Sequence, residues 1–233
     1  MTTASSSQNS NNDDDDAMDK IQPSTYYMNQ NNFAFCGYCL KIARNTSANL
    51  GVSAYVWDAG VALCRYFEKE NISFTGKKVI ELGSGTGIVG MLATLLGGNV
   101  TFTDQPNALQ QIEHNITINI PAACRHRINV RPLIWGEDHI RFTNEYDFIL
   151  GSDLVYSSAS YSSLIRTLHY LAHPDTIIYL ASAFRKGNGS LSFHDVLLPV
   201  YFKCLVVDKL ADKDITVYKM TKIGRGPEDW FLM

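Results

Sequence analysis

Apolar and polar positions change rhythm several times along this chain, and each change marks an element. Residues 1–22 are mostly Ser, Gln, Asn and Asp with almost nothing to bury, a composition that predicts a disordered tail. Residues 33–42 alternate on either side of Gly37 and predict a short β-hairpin. Val56, Ala59, Leu63, Tyr66 and Phe67 recur at helical spacing and predict a helix over 56–69. A strand-type run, Val79-Ile80-Glu81-Leu82, then meets three alternating glycines, Gly83, Gly85 and Gly87. Residues 88–96 are small and apolar, a buried helix closed by Gly97-Gly98.

The alternation continues. Strands are predicted at 99–103, 128–134, 146–151 and 176–181, with helices at 108–120 and 164–171 between them. Pro132 marks the 128–134 strand as edge-like. A polar Gly-Asn-Gly loop is expected at 184–192, then a short helix at 193–201 interrupted by Pro199. Residues 203–209 and 215–221 read as a final antiparallel pair. Strand and helix in turn predict an α/β fold: a doubly wound, Rossmann-like sheet of seven strands with helices on both faces, preceded by the hairpin. One domain over 23–233, after the tail, is the simplest division.

Composition narrows the function. The chain has 233 residues, 45% of them hydrophobic, and a net charge of −3. Asp13, Asp14, Asp15, Asp16 and Asp19 against Lys20 place that charge in the tail, leaving a near-neutral body without the basic footprint of a nucleic-acid binder. No apolar run is long enough to span a bilayer, and the polar, acidic start resembles neither a secretory signal nor a transit peptide. Five scattered cysteines suit a reducing compartment. A cytoplasmic protein is expected, with nuclear passage open at this size, and the sequons at Asn45, Asn71, Asn115 and Asn188 are expected to stay unmodified. Cys36-Gly37-Tyr38-Cys39 invites a redox or zinc reading. It has no second C-x-x-C and no nearby His, and it sits in a hairpin instead of opening a helix; two small residues at a turn is the preferred reading, and no metal site is expected.

The candidate chemistry lies where strands end. Gly85-x-Gly87-x-x-Gly90 satisfies the dinucleotide fingerprint literally. Register argues against it, because the strand runs into Gly83, and counting from there the third glycine should fall at Ile88. The pattern present is acid-x-Gly-x-Gly-x-Gly, from Glu81 to Gly87, similar to the first motif of seven-strand S-adenosylmethionine (SAM) methyltransferases. Asp104 ends the second strand about 20 residues beyond Gly83, where an acid meets ribose hydroxyls in this kind of fold; Asp is also a good helix N-cap before Pro106. Trp57, at a helix start, reads as a core anchor or a ligand contact. Trp135, after the third strand, reads as an adenine cover or a packing residue. Asp153 and Tyr156 follow the fourth strand at the topological switch point, although an acid at a strand end is often only a cap.

Taken together, Val56-Trp57-Asp58-Ala59, Glu81 to Gly87, Val100 to Asp104, Leu133-Ile134-Trp135-Gly136 and Asp153-Leu154-Val155-Tyr156 resemble the methyltransferase-like 21 group of class I protein-lysine methyltransferases. The resemblance runs from about Phe33 to the end. It implies a SAM-dependent protein-lysine N-methyltransferase that releases S-adenosylhomocysteine (SAH). It places Trp57, Gly83, Ser84, Gly85, Asp104, Trp135 and Ser152 on SAM contacts; Glu81 and Gln105, adjoining them, complete the expected cofactor-binding set. Asp153 and Tyr156 fall on the acidic-x-x-aromatic tetrad that lines the acceptor lysine channel and are the expected catalytic residues. The implied partner is a protein substrate, a cytosolic non-histone protein such as a heat-shock chaperone, an AAA ATPase or an elongation factor, acted on by a monomer. Methylation of a histone or other protein arginine, methylation of a small molecule, and a SAM-binding adaptor without turnover stay open as alternatives. Nucleic-acid methylation is disfavoured by the missing base-flipping motif and basic groove. The Asp-rich tail departs from the group, and the hairpin and the 185–190 loop are where its members differ.

Overall fold

A computed structural model describes residues 27–46, 49–184 and 190–224 of the chain. The acidic stretch 1–22 and most of the 185–190 loop lie outside the described residues. Among the described residues, nine strands form two sheets. Strands β1 (Tyr27–Phe35) and β2 (Tyr38–Asn45) make an antiparallel pair of their own. The other sheet has the order β5-β4-β3-β6-β7-β9-β8. Its members are β3 (Lys78–Leu82), β4 (Asn99–Asp104), β5 (Ile128–Pro132), β6 (Phe148–Ser152), β7 (Ile177–Ala183), β8 (Phe202–Leu210) and β9 (Ile215–Lys222). Five strands are parallel, and β9 enters antiparallel between β7 and β8. The expected seven-strand sheet is therefore present, with Pro132 on its edge strand and the fourth strand beside the first: Leu82 pairs with Gly151.

Period-two alternation assigns the two faces. Val79, Leu150, Tyr179 and Ala181 point into one apolar layer, with helices α1 (Asp58–Lys69), α2 (Ile88–Leu95) and α3 (Leu109–Asn119). Ile80, Ile149, Ile178 and Leu180 point into the other, with α4 (Tyr161–Leu171) and a later helical stretch. The hairpin packs on the helices of the first layer. Phe35, Leu40 and Ile42 are each at most 1% exposed, and burying a side chain of this kind stabilises by about 1.5–3 kcal/mol.

Three boundaries differ from the expectation for identifiable reasons. The first helix starts at Asp58, with extended Trp57 as its N-cap. The third strand stops at Pro132; Leu133 instead donates its N–H to the Asp104 carbonyl and begins a loop. The expected loop at 184–192 already turns helical at Ser190, and helix continues through Ser190–Ser192, Phe193–Leu197 and Leu198–Tyr201. Its middle segment is a π turn in which the Leu198 N–H reaches back to Phe193. Pro199 follows within the first turn of the last segment, where its missing N–H is tolerated, so it shapes the helix instead of ending it.

The C-x-x-C resolves into turn geometry. Cys36 and Gly37 both have positive φ (51° and 79°), the backbone of a two-residue hairpin turn. The Cys36 N–H donates to Glu68 Oε1 at 2.6 Å. Burial and the Glu68 charge push its thiol upward, the direction opposite to a reactive cysteine.

Candidate active site

The carboxyl ends of β3, β4 and β6 open onto one cleft of about 770 Å³, within the range of sites for small organic ligands. Around it stand Trp57, Gly83, Ser84, Gly85, Asp104, Gln105, Trp135, Ser152, Asp153 and Tyr156. Of the residues the sequence nominated, Glu81 alone does not line the cleft. It is 2% exposed and sits behind the glycine turn. Burial pushes its carboxyl up to about 8; the Ser84 hydroxyl and the Gly90 N–H act in the other direction, and the Asp104 charge adds to the rise. Its carboxyl thus faces α2 and not the cleft, against the expectation of a direct cofactor contact. Gly90 belongs to the same packing. A Cβ there would lie 2.5 Å from both Glu81 Oε2 and the Phe102 ring, so this glycine lets α2 close on the sheet and has no part in a ligand fingerprint.

The floor of the cleft is the glycine turn tied to β4. Ser84 donates its N–H to the Thr103 carbonyl at 2.9 Å, and its hydroxyl accepts from the Thr103 N–H at 3.2 Å. The Gly85 N–H donates to Asp104 Oδ2 and the Gln105 N–H to Asp104 Oδ1, both at 2.7 Å. Asp104 is 7% exposed. Burial raises its carboxyl, and the two N–H groups counter that. Each oxygen keeps a lone pair beyond the backbone bond it accepts. Gly83 has φ 57°, and a Cβ there would meet Leu154 at 2.7 Å and the Trp135 ring at 3.3 Å. The turn thus lies flush against the loop after β6 and the aromatic after β5.

The walls are aromatic. The Trp57 indole N–H donates to the Val52 carbonyl at 2.8 Å, which fixes the ring against the 3-10 turn Gly51–Ala54. Tyr55 meets Trp57 edge-on, and the Arg44 guanidinium lies over the Tyr55 ring, 4.5 Å from its centroid. Gly136 donates its N–H to the Thr167 hydroxyl, which anchors the Trp135 loop to α4. The 3-10 turn and Tyr55 line the cleft as well. They carry no periodicity and no motif, and only the aromatic Tyr55 next to Val56-Trp57 hinted at them.

The acceptor side follows β6. Ser152 ends the strand, its Oγ close to Gly60 of α1. Asp153 then adopts φ 56°, a left-handed conformation costly for a residue with a Cβ, and its N–H is held by the Ala181 carbonyl at 2.8 Å. Residues kept in such conformations cluster at functional sites. The Tyr156 phenol is raised first by burial and then by the charges of Asp104 and Asp153, so all three face the same space. Two buried carboxylates and an aromatic rim suit a ligand with a polar ribose and a cationic partner entering from outside.

Known proteins resemble this chain in sequence and in fold. A family model described as lysine methyltransferase matches residues 37–197. A Xenopus tropicalis protein named EEF1A lysine methyltransferase 3 is 47% identical over 199 residues, 85% of this chain and 88% of the relative. Its Mus musculus namesake is 45% identical over 83% of this chain and 82% of its own length. Protein N-lysine methyltransferase METTL21A of Xenopus tropicalis is 36% identical over 83% and 87%. Among solved structures, a glycopeptide N-methyltransferase, MtfA, complexed with SAM has a TM-score of 0.57 at 13% identity, covering 72% of this chain and 95% of that one. At that identity the likeness carries the fold.

Proposed function

The chain belongs to the lysine methyltransferase family, and from that premise we propose that it methylates a lysine of translation elongation factor 1A. It is a SAM-dependent protein-lysine N-methyltransferase. The observation that carries the site assignment is that one cleft gathers the glycine turn, Asp104 and the Asp153–Tyr156 pair. The higher identity to the relatives named for EEF1A than to those named METTL21A supports the choice of substrate.

The cleft suits the cofactor by size and by donor set. In this reading Asp104 accepts the ribose hydroxyls, the Ser84–Gly85 turn faces the amino-acid end, and Trp135 and Gln105 border the base. Bound SAM supplies a methyl group on a sulfonium. Asp153 draws the incoming lysine ammonium to the mouth, and Tyr156 and Trp57 strip water from its stem. Desolvation lowers the pKa of the amine from about 10.4, which favours the neutral form that reacts. With SAM held by Asp104 and the Ser84–Gly85 turn, the lysine amine, held by Asp153 and having first given a proton to water, would receive the methyl group, and SAH would be left. Holding amine and methyl in line supplies most of the rate.

We place the reaction in the cytoplasm, with passage to the nucleus, and assign it to a monomer acting on protein and not on nucleic acid or membrane. Five dispersed free cysteines and the near-neutral body support this reading. The test is incubation with labelled SAM and three substrates: elongation factor 1A, a heat-shock chaperone and core histones. Label on a mapped lysine of the elongation factor is the expected result. Label on the chaperone alone overturns the substrate assignment, and label on an arginine overturns the acceptor.

A further inference from the structure

One face of α3 carries an amide at every fourth position, Gln111, Asn115 and Asn119, and all three bind the backbone of β2 at every second position. Gln111 Oε1 accepts from the Asn45 N–H at 2.9 Å. Asn115 Oδ1 accepts from the Ala43 N–H at 2.8 Å, and its Nδ2 donates to the Ala43 carbonyl at 3.1 Å. Asn119 does the same at Lys41, at 2.7 and 2.9 Å. The match is geometric: four helical residues rise about 6 Å and two strand residues about 6.6 Å. The helix therefore acts as a third strand for the hairpin edge.

The same amides reach the other way. Asn115 Nδ2 also donates to the Thr86 carbonyl at 3.0 Å. Gln111 Nε2 donates to the Ser53 carbonyl at 2.8 Å and approaches the Gly85 carbonyl at 3.4 Å. Gln111 and Asn115 are fully buried, so a side chain that loses one partner has no water to replace it. Gly85, Thr86 and Ser53 line the cleft; no described residue of the hairpin does.

We propose that Gln111 and Asn115 are positioning residues that couple the hairpin to the glycine turn, so that cofactor binding tightens the hairpin and hairpin docking strengthens cofactor binding. The proposal rests on the cleft being the cofactor site. Thermodynamic linkage makes the two effects equal in size. Ordered Thr86 and Gly85 carbonyls fix the two amide groups, and fixed amide groups hold Ala43 and Asn45.

The experiment is amide hydrogen exchange on the full chain with and without SAH, paired with calorimetry. Saturating SAH is expected to slow exchange at Ala43 and Asn45 by about fivefold or more, the lower end of measured coupling factors. Asn119→Ala, which loosens the hairpin at Lys41 and touches nothing in the cleft, is expected to raise the Kd for SAH and the KM for SAM severalfold while kcat holds. Gln111→Ala is expected to do the same and to abolish the SAH effect at Asn45. If SAH protects the glycine turn and leaves the hairpin amides unchanged, the coupling is overturned and the cofactor site stands. Parental SAH affinity in both folded variants overturns it equally. A parent that binds no SAH overturns both readings. Should either variant fail to fold, the exchange experiment on the parent decides alone.

Discussion

Asp104 is held from two sides by the protein's own backbone, because the N–H groups of Gly85 and Gln105 each donate to one oxygen. Asp104→Ala is expected to weaken SAM binding by about 1.5–3 kcal/mol, the scale of a lost charge-assisted hydrogen bond, as measured by calorimetry. Asp153 should act on the other substrate. Asn tolerates the left-handed backbone at this position, so Asp153→Asn is expected to keep its fold and its SAM affinity and to lose at least about tenfold in kcat/KM toward the protein substrate. Parental turnover would remove Asp153 from the acceptor site. Glu81 makes a different prediction, because its folded-state pKa is raised from 4.5 to about 8. Between those values the unfolded chain has released this proton and the folded chain has not. Its effect on stability is therefore absent below about 4.5, grows as a loss while pH rises, and levels off above about 8. In Tm measurements against pH, Glu81→Gln should gain on the parent across that window and hold its gain beyond it.

At the scale of elements, the junction of β3, the glycine turn and α2 concentrates the constraints. A methyl group at Gly90 meets Glu81 and Phe102 at 2.5 Å. Gly90→Ala is expected to destabilise by about 1–3 kcal/mol in denaturant unfolding, as overpacking does, and an unchanged midpoint would show that α2 shifts freely. Most elements were legible because their periods were clean: Val79 and Ile80 face opposite layers, and Leu63 and Phe67 share one helix face. The helical start at Ser190–Ser192 was not legible, because three residues are too few to show a period of their own. The Gly51–Ala54 wall was illegible because a short 3-10 turn has no period to read, and its place in the cleft is set by the indole of Trp57.

For the whole molecule, the order of strands put Ser152 and Asp153 next to the glycine turn, and that proximity was readable from the fold class alone. What the sequence did not carry was the direction of Glu81: the motif marked it, but only the packed structure shows the carboxyl turned toward α2 and away from the cleft. The amide row on α3 was equally hidden, because Gln111, Asn115 and Asn119 look like the polar face of an ordinary surface helix. A chain beginning near Pro23 is expected to match the full chain in Tm and in SAM affinity; a fall in either would show that the first 22 residues take part in the domain.

The hairpin's docking site has a consequence for how this protein is made. The ribosome releases β1 and β2 early, and the helix whose amides receive them much later. A lone two-stranded hairpin is barely stable in water. At about 5–20 residues per second, Phe35, Leu40 and Ile42 wait for seconds until the helical layer that covers them, α1 first and α3 last, is complete. The nascent chain is therefore most exposed to chaperones and to aggregation in the interval before α3 emerges, and slow codons placed between the two would lengthen that interval.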